Sequence, residues 1–417
     1  MIAQTPPMGW NSWDCYGAAV DEATVRKNAE YMAKVLKEYG WEYVVVDIQW
    51  YQPTAKTHEY IPFAELTMDA HGRLQPSVER FPSSADGKGF QPLAEYVHSL
   101  GLKFGIHIMR GLPRMAAHKH LPIDGSEYSC DQAANPSSVC MWNPDMYGTR
   151  ADHPAAKAWY ESIFRQYAQW GVDFVKCDDI AREYPHAVRE IELISEACRG
   201  CGRSMVLSLS PGPAPIEQAE HLKKYANMWR ITDDFWDDWK LLKGMFERAE
   251  KWCVHSAPGH WPDADMLPIG ALRQCEDPSE WTHFTVPELR TMITLWCMMR
   301  SPLMIGSELT KLDPTSLGLL TNPQILAICL ESCGGHPLKT TGEESVWVSY
   351  RADGKGKYAA FFNLSDTPRR VGVSAASLQT GATTATELWG SREVAFKENL
   401  ETDLQPHDAA VFFLTES

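Results

Sequence analysis

The sequence lacks the features that would place the chain in a membrane or on nucleic acid. It has no uninterrupted run of about 18 apolar residues, which a membrane-spanning helix needs. Its first residues have neither the basic nor the apolar part of a signal peptide. The formal net charge of −15 argues against nucleic acid and anionic membranes as partners, because both attract basic surfaces. We therefore expect a soluble protein that binds neither.

Motifs for metal ions and disulfides are also scarce. Of the 11 cysteines, Cys198 and Cys201 form the only CxxC pair, and no second pair completes a zinc site. There is no HExxH motif, and the one HxH, His118-Lys119-His120, falls outside the predicted strands. An odd cysteine count in a chain too large to need disulfides is typical of reduced thiols. The sequence predicts a cytoplasmic protein without a metal site.

What the sequence does contain is a repeated alternation of short apolar runs and helix patterns. Such β-α alternation indicates a parallel sheet, and eight units of this spacing favour a closed barrel. We predict a (β/α)8 TIM barrel over residues 1–322. The eight predicted strands lie around Trp10 and at Tyr43–Asp47, Lys103–Ile108, Val172–Cys177, Ser204–Leu209, Met228–Thr232, His260–Met266 and Leu303–Gly306.

Two other parts of the chain differ from this pattern. The stretch Gly111–His153 is rich in turn residues and predicts an insertion loop, and loops of this length are usually functional lids. After about Pro323, short β-prone runs separated by turns predict an antiparallel β-sandwich over residues 323–417. These runs are Ser345–Tyr350, Tyr358–Asn363, Arg370–Ser374, Thr384–Leu388 and Ala409–Leu414.

Several predicted strands end on acids. The most informative is Phe174-Val175-Lys176-Cys177-Asp178-Asp179, where alternation puts Lys176 and Asp178 on one face and Asp179 on the other. A buried strand rarely ends on carboxylates without a functional reason, because unpaired buried charge is costly. The other acids at or just after predicted strand ends are Asp47, Asp234, Asp263 and Asp265. Barrel enzymes hold their chemistry at this mouth, so we expect the active site there.

Strand-end acids are compatible with a divalent metal site or with a carboxylate pair that cleaves a glycosidic bond. Zinc or iron usually needs histidines too, and only His107 and His260 are near strand ends. The 16 tryptophans favour a sugar, which binds aromatic faces beside carboxylates. Lys176 would keep Asp178 ionised as a nucleophile. On chemistry alone, the second carboxylate could be Asp233, Asp234 or Asp265.

The order of motifs resembles glycoside hydrolase family 27, the α-galactosidase family. The matching pieces are Pro6–Trp13, Gly72–Leu74 with Arg80–Pro82, Lys103–Ile106, Lys176–Asp178, Trp229–Arg230 with Asp234, Asp263–Leu267 and Arg300–Leu303. The resemblance implies a retaining mechanism through a covalent glycosyl-enzyme, a small carbohydrate substrate and no cofactor. It implies Asp178 as nucleophile and Asp234, paired with Arg230, as acid/base. It implies roles in the sugar site for Trp10, Asp47, Lys176 and Arg230. We add Ile48, Trp50, His107, Ser210 and Asp265 as further candidate substrate-binding residues.

Ile48 departs from the family pattern in a way that bears on the substrate. In α-galactosidases an acid at this position binds hydroxyls near C4 and C6 of the sugar, whereas an isoleucine cannot. β-L-Arabinopyranose is α-D-galactopyranose without the CH₂OH group, so Ile48 favours the pentose. The resemblance therefore implies a β-L-arabinopyranosidase, with an α-D-galactosidase as the alternative.

Other departures leave further alternatives. Ser208-Leu209-Ser210-Pro211 replaces a Cys-Glu-Trp element of the galactosidases, and a serine there resembles the α-N-acetylgalactosaminidases. Ile180 replaces a disulfide cysteine of secreted relatives, which agrees with an intracellular enzyme. A non-catalytic sugar-binding protein is disfavoured because both candidate carboxylates and their basic partners are present. A homo-oligomer is possible, but no interface is visible in the sequence.

Overall fold

A computed structural model describes residues 2–415. Its strands are β1 (Met8–Asn11), β2 (Tyr43–Val46), β3 (Lys103–Met109), β4 (Leu112–Pro113), β5 (Ala134–Val139), β6 (Met146–Thr149), β7 (Phe174–Asp178), β8 (Val206–Leu209), β9 (Met228–Arg230), β10 (Trp261–Asp263), β11 (Leu303–Ile305), β12 (Ser332–Thr340), β13 (Glu344–Arg351), β14 (Gly356–Asn363), β15 (Arg369–Ser374), β16 (Thr384–Glu387), β17 (Arg392–Ala395), β18 (Asn399–Leu404) and β19 (Ala409–Thr415).

The α-helices are α1 (Trp13–Tyr16), α2 (Glu22–Tyr31), α3 (Gln91–Ser99), α4 (Arg114–His118), α5 (Cys130–Ala133), α6 (Pro154–Trp170), α7 (Val188–Gly200), α8 (Ala219–Tyr225), α9 (Trp239–Trp252), α10 (Val286–Met299), α11 (Pro314–Leu320) and α12 (Pro323–Glu331). Short 3₁₀ segments span Gly17–Ala19, Lys37–Tyr39, Pro82–Ser84, Ile216–Gln218, Cys253–His255 and Leu309–Lys311. No helix within residues 2–415 is long and apolar enough to cross a membrane.

The eight predicted barrel strands all form, and every one pairs in parallel with its neighbours. Their order is β10-β9-β8-β7-β3-β2-β1-β11. Leu267, which follows β10, bridges in parallel to Ile305 of β11 and donates its backbone N–H to the Met304 carbonyl at 2.7 Å. The TIM barrel is therefore confirmed. Because all eight strands run the same way, their carboxyl ends meet at one rim.

The predicted insertion loop at residues 111–153 has secondary structure of its own, so its description as a loop was wrong. Strands β4, β6 and β5 form an antiparallel sheet beside the barrel, and α4 and α5 flank it. The indole of Trp159 donates to the Gly111 carbonyl at 2.8 Å, which attaches the start of the insertion to α6. A segment this long inside a compact domain must pair its backbone groups, and this sheet does so.

The sequence pattern over Asp21–Tyr39 is that of one long helix, but the structure interrupts it. Asp21 caps α2 through a hydrogen bond from the Thr24 N–H, 2.8 Å long. The helix then widens into a π-helical turn at Met32–Leu36 and tightens into a 3₁₀ turn, which ends at Gly40 with a left-handed φ of 96°. On the apolar stripe of this pattern, Val25, Ala29, Met32 and Leu36 are buried and Tyr39 is partly buried, so the periodicity survives the change of helix type.

The second domain is a β-sandwich, as predicted. One sheet has the order β12-β13-β14-β19-β16-β17, and β15 pairs with β18 in a second. Val346, Phe361 and Phe412 of the first sheet share a buried core with Val371 and Leu400 of the second. Strands β12, β17 and β18 were not predicted. The division at residues 322 and 323 stays a prediction; α12 follows it, and β12 begins nine residues later, at Ser332.

Candidate active site

A cavity of about 300 Å³ opens at the carboxyl-terminal rim of the barrel. It is lined by acids, bases and aromatic side chains from at least five strand ends. The lining residues are Trp13, Asp14, Asp47, Ile48, Tyr60, Trp142, Lys176, Asp178, Arg182, Pro211, Arg230, Asp234, Phe235, Trp236, Asp265 and Met266. Seven of the predicted site residues therefore line this cavity. They are Ile48 and the charged residues Asp47, Lys176, Asp178, Arg230, Asp234 and Asp265.

Asp178 ends β7 inside this cavity, and its carboxylate is held by three donors. The imidazole Nε2 of His107 lies 2.9 Å from Oδ2, while the Ser210 hydroxyl and the Asp179 N–H donate to Oδ1 at 2.9 and 3.0 Å. Burial alone would raise the pKa of Asp178. The hydrogen bond and charge of His107, followed by the charge of Lys176, outweigh burial and hold the pKa well below its usual range. Asp178 is therefore an ionised, oriented carboxylate.

Asp47 and Lys176 form a buried ion pair beside Asp178. Lys176 Nζ lies 2.8 Å from Asp47 Oδ2, which also accepts a 2.7 Å hydrogen bond from the Asn11 amide. Burial would raise the pKa of Asp47, but the positive charge of Lys176 lowers it overall. Burial likewise opposes the charge on Lys176, yet Asp47 and Asp178 raise its pKa. The pair presents one fixed cation and one fixed anion to the cavity.

Arg230 ends β9 and connects two acids of the cavity. Its Nη2 lies 3.2 Å from Asp234 Oδ1 and 2.7 Å from Asp265 Oδ2. The two acids differ in access: the side chain of Asp234 is 59% exposed, whereas that of Asp265 is 5% exposed. Asp265 also accepts a 2.8 Å hydrogen bond from the Phe235 N–H. Asp233 points elsewhere and pairs with Arg182 at 2.9 Å.

Two buried acids of the cavity are hard to ionise. Burial raises the pKa of Asp265 to about 7, although the charge of Arg230 opposes this shift. Burial also raises the pKa of Asp14 well above its usual range, and the nearby charge of Asp265 adds to the effect. Burial thus favours the protonated form of both carboxyls, and for Asp265 the 2.7 Å ion pair with Arg230 acts in the opposite direction. The acids of the cavity therefore differ in how readily they ionise.

Four predicted site residues do not line the cavity. Trp10 is fully buried and donates its indole N–H to the Ser307 carbonyl at 2.8 Å. Trp50 is also fully buried and donates to the His107 carbonyl at 2.8 Å. The tryptophan of the opening segment that lines the cavity is Trp13, so the assignment of Trp10 to the wall is corrected. His107 and Ser210 are not lining residues either, but both bond directly to Asp178.

An aromatic outer wall was missed in the sequence. Trp13 and Tyr60 stack with their ring centres 5.9 Å apart, and the ring centres of Tyr60 and Trp142 are 5.5 Å apart. Trp13 lies two residues after β1 and Phe235 lies five residues after β9, so their places just beyond strand ends were a usable signal. Tyr60 and Trp142 come from long connections, where no sequence pattern marks them. Aromatic faces beside carboxylates suit the apolar face of a sugar ring.

The arrangement supports two-carboxylate chemistry. One carboxylate is enclosed and ionised, and a second stands at the open side, held by an arginine. Such a pair can serve as nucleophile and acid/base on the two sides of a glycosidic bond.

Family models of known proteins match both the barrel and the β-sandwich of this chain. Residues 5–147 and 141–331 match the family model described as alpha galactosidase A. Residues 341–414 match the model described as alpha galactosidase C-terminal beta sandwich domain. The chain is similar over 99% of its length to the α-galactosidase of Cyamopsis tetragonoloba, at 26% identity and covering 87% of that protein.

Two solved structures are more similar. A family 27 β-L-arabinopyranosidase from Geobacillus stearothermophilus is 49% identical, with a TM-score of 0.96, over 100% of this chain and 97% of that one. A protein from Bacillus halodurans proposed to be an α-N-acetylgalactosaminidase is 46% identical, with a TM-score of 0.90, over 100% and 99% of the two chains. The chain is a glycosidase and belongs to glycoside hydrolase family 27.

Proposed function

We propose that this glycosidase removes terminal β-L-arabinopyranosyl residues with retention of configuration. Asp178 is the nucleophile and Asp234 is the acid/base. Two observations support these roles. Asp178 is enclosed and kept ionised by His107 and Lys176, as a nucleophile requires. Asp234 is exposed at the mouth, where both the leaving group and water have access.

In the first step Asp178 attacks the anomeric carbon while Asp234 protonates the departing oxygen. The bond to the aglycone breaks and a covalent glycosyl-enzyme forms on Asp178. In the second step Asp234 takes a proton from water, which attacks the same carbon and releases the sugar and Asp178. Two inversions give net retention. Lys176 and Asp47 bind ring hydroxyls, and their mutual ion pair keeps both oriented before the sugar arrives.

The position of Ile48 in the cavity is the main observation in favour of an arabinopyranoside over a galactoside. It is 1% exposed, lines the cavity and directly follows Asp47. An apolar side chain there packs well against a ring that lacks a CH₂OH group. A galactoside would bring its C6 hydroxyl against this surface without a partner, at a cost of about 1–3 kcal/mol. The 49% identical neighbour named as a β-L-arabinopyranosidase supports the same choice.

An α-D-galactosidase is the second candidate, because the more distant relatives carry that name. The decisive measurement is kcat/KM on p-nitrophenyl β-L-arabinopyranoside against p-nitrophenyl α-D-galactopyranoside. We expect the pentoside to be preferred. Ile48→Asn, which supplies a neutral acceptor, should shift the ratio towards the galactoside by about 5- to 150-fold. Ile48→Val keeps the surface apolar and should leave the preference in place.

A galactoside preference that neither substitution changes would overturn the arabinopyranosidase proposal. It would also make Ile48 a packing residue only. Activity on neither glycoside by a folded protein would direct the test to the α-N-acetylgalactosaminide.

His107 offers a test of how the nucleophile is kept ionised. Replacing His107 with Phe removes the 2.9 Å hydrogen bond to Asp178. Because that bond and the charge of His107 lower the pKa of Asp178, the substitution should raise it. We expect the acidic limb of the kcat/KM–pH profile to move to higher pH. Trp50→Phe, which removes the indole hydrogen bond to the His107 carbonyl but leaves the bond from His107 to Asp178, is the control and should leave that limb in place. An unmoved limb in His107→Phe would contradict the role of His107.

Two further proposals concern the location of the enzyme and its oligomeric state. We propose a cytoplasmic enzyme acting on small carbohydrates, based on its unpaired cysteines. Size-exclusion chromatography with light scattering would test whether it forms the homo-oligomer allowed by the sequence.

A further inference from the structure

Behind the aromatic wall of the cavity, a histidine, a cysteine and a glutamate converge. The Nδ1 atom of His58 lies 3.0 Å from Glu276 Oε1 and 3.7 Å from Cys275 Sγ. The three ligand atoms all lie within 4.8 Å of one another. Within residues 2–415, no other group of three or more His, Cys, Asp or Glu side chains is arranged closely enough to hold a metal ion. The acids of the catalytic cavity do not form such a group.

The hydrogen bonds of His58 determine which of its nitrogens is available. Its Nε2 lies 2.9 Å from the backbone carbonyl of Trp13. A carbonyl oxygen only accepts, so Nε2 carries a proton and donates it. On a neutral ring, Nδ1 then presents a lone pair. This is the orientation common to metal-binding histidines, in which the distant nitrogen donates to a carbonyl and fixes the ring.

The atoms next to His58 Nδ1, which are Glu276 Oε1 and Cys275 Sγ, favour a cation between them and Nδ1. Glu276 Oε1 is an acceptor, and the backbone N–H of His58 donates to it at 3.4 Å. A lone pair and a carboxylate oxygen 3.0 Å apart repel each other unless a second proton or a metal ion lies between them. The Cys275 sulfur makes the metal the better occupant, since thiolate, imidazole and carboxylate together are a zinc ligand set. Zinc would bind Cys275 as the thiolate and release the thiol proton to solvent.

The two segments that carry these side chains are held in place by backbone hydrogen bonds. The Ala18 N–H donates to the Thr57 carbonyl at 2.9 Å, next to His58. The Cys275 N–H donates to the Cys15 carbonyl at 3.3 Å. Both segments are thus tied to the same stretch after β1. The ligand atoms are positioned before any ion arrives, which lowers the cost of assembling a site.

We propose that His58, Cys275 and Glu276 bind one zinc ion per chain through Nδ1, Sγ and a carboxylate oxygen. Water completes four-coordination on the solvent side, where Glu276 is exposed. The site is next to the catalytic cavity but outside it. The His58 ring packs edge-on against Trp13, with ring centres 5.3 Å apart, and against Trp236 at 5.8 Å. Both indoles line the cavity, so zinc would hold this wall in place without contacting the glycosidic bond.

The test uses the full chain, stripped of metal with a chelator and dialysed against Zn²⁺. Elemental analysis should find one zinc per chain. Cys275→Ser and Glu276→Gln should each weaken binding by at least about tenfold. With Co²⁺ in place of Zn²⁺, the wild-type protein should show a thiolate-to-cobalt charge-transfer band that Cys275→Ser lacks. Cys201→Ser, which removes another partly buried thiol, should retain both the zinc and the band.

Two results would overturn the proposal. One is the absence of stoichiometric zinc in the wild-type protein. The other is binding that survives Cys275→Ser but is lost in Cys201→Ser, because the CxxC pair would then be the ligand. Excess Mg²⁺ should not displace the zinc, since a site with sulfur and nitrogen ligands discriminates against a cation that prefers oxygen. None of these readouts depends on glycosidase activity.

Discussion

Replacing Asp178 with Ala is expected to lower kcat by at least ~10⁴-fold, equivalent to ~5.4 kcal/mol of transition-state stabilisation. Without this carboxylate no glycosyl-enzyme can form. The side chain is only 13% exposed, and its bonds to His107 and Ser210 hold the carboxylate in one orientation. The measurement is kcat on the preferred p-nitrophenyl glycoside, with circular dichroism to verify folding.

Azide distinguishes loss of a nucleophile from general damage. In Asp178→Ala, azide can enter the space left by the carboxylate and attack from the same side. The product should be a glycosyl azide of inverted configuration, and the rate should rise with azide concentration. Asp179→Asn is the matched control: this neighbouring acid points to the other face of β7 and pairs with Arg110 at 3.0 Å. If folded Asp178→Ala kept more than about 1% of wild-type activity, Asp178 would not be the nucleophile.

Replacing Asp234 with Ala should give a loss that depends on the leaving group. With a poor leaving group, which needs protonation, we expect kcat/KM to fall by about 10²- to 10⁴-fold. With a dinitrophenyl glycoside, which departs unprotonated, kcat/KM should fall much less. The glycosyl-enzyme should then accumulate, because its hydrolysis still needs a base. Mass spectrometry of the intact protein would detect it.

The same azide experiment separates Asp234 from its rivals. In Asp234→Ala, azide should attack the glycosyl-enzyme and give a product of retained configuration, opposite to that from Asp178→Ala. Asp233→Asn should have little effect, since Asp233 is exposed and pairs with Arg182. Asp265→Asn should weaken substrate binding without azide rescue. Rescue in an Asp265→Ala variant, but not in Asp234→Ala, would transfer the acid/base role to Asp265.

The barrel itself followed from local patterns. Runs such as Tyr43–Val46 are apolar and β-branched, and they alternate with helical stripes that need only a few neighbouring residues to be recognised. Alternation along β7 also placed Lys176 and Asp178 on one face, and the structure has both in the cavity. By contrast, β17 and β18 carry many exposed polar residues, so no hydrophobic pattern marked them.

The sequence by itself determined the fold class, the family and the strand-end acids, because strand and helix periods and side-chain alternation act over short distances. Tertiary structure alone decided which residues surround those acids. The folded structure shows that Trp13, and not Trp10, lines the cavity, and that Tyr60 and Trp142 from long connections line it too. It also shows that the side chain of Asp234 is exposed whereas that of Asp265 is buried. It also joined His58 to Cys275 and Glu276, more than 200 positions away. Burial, desolvation and contacts between distant segments exist only once the chain has folded, so no local pattern encodes them.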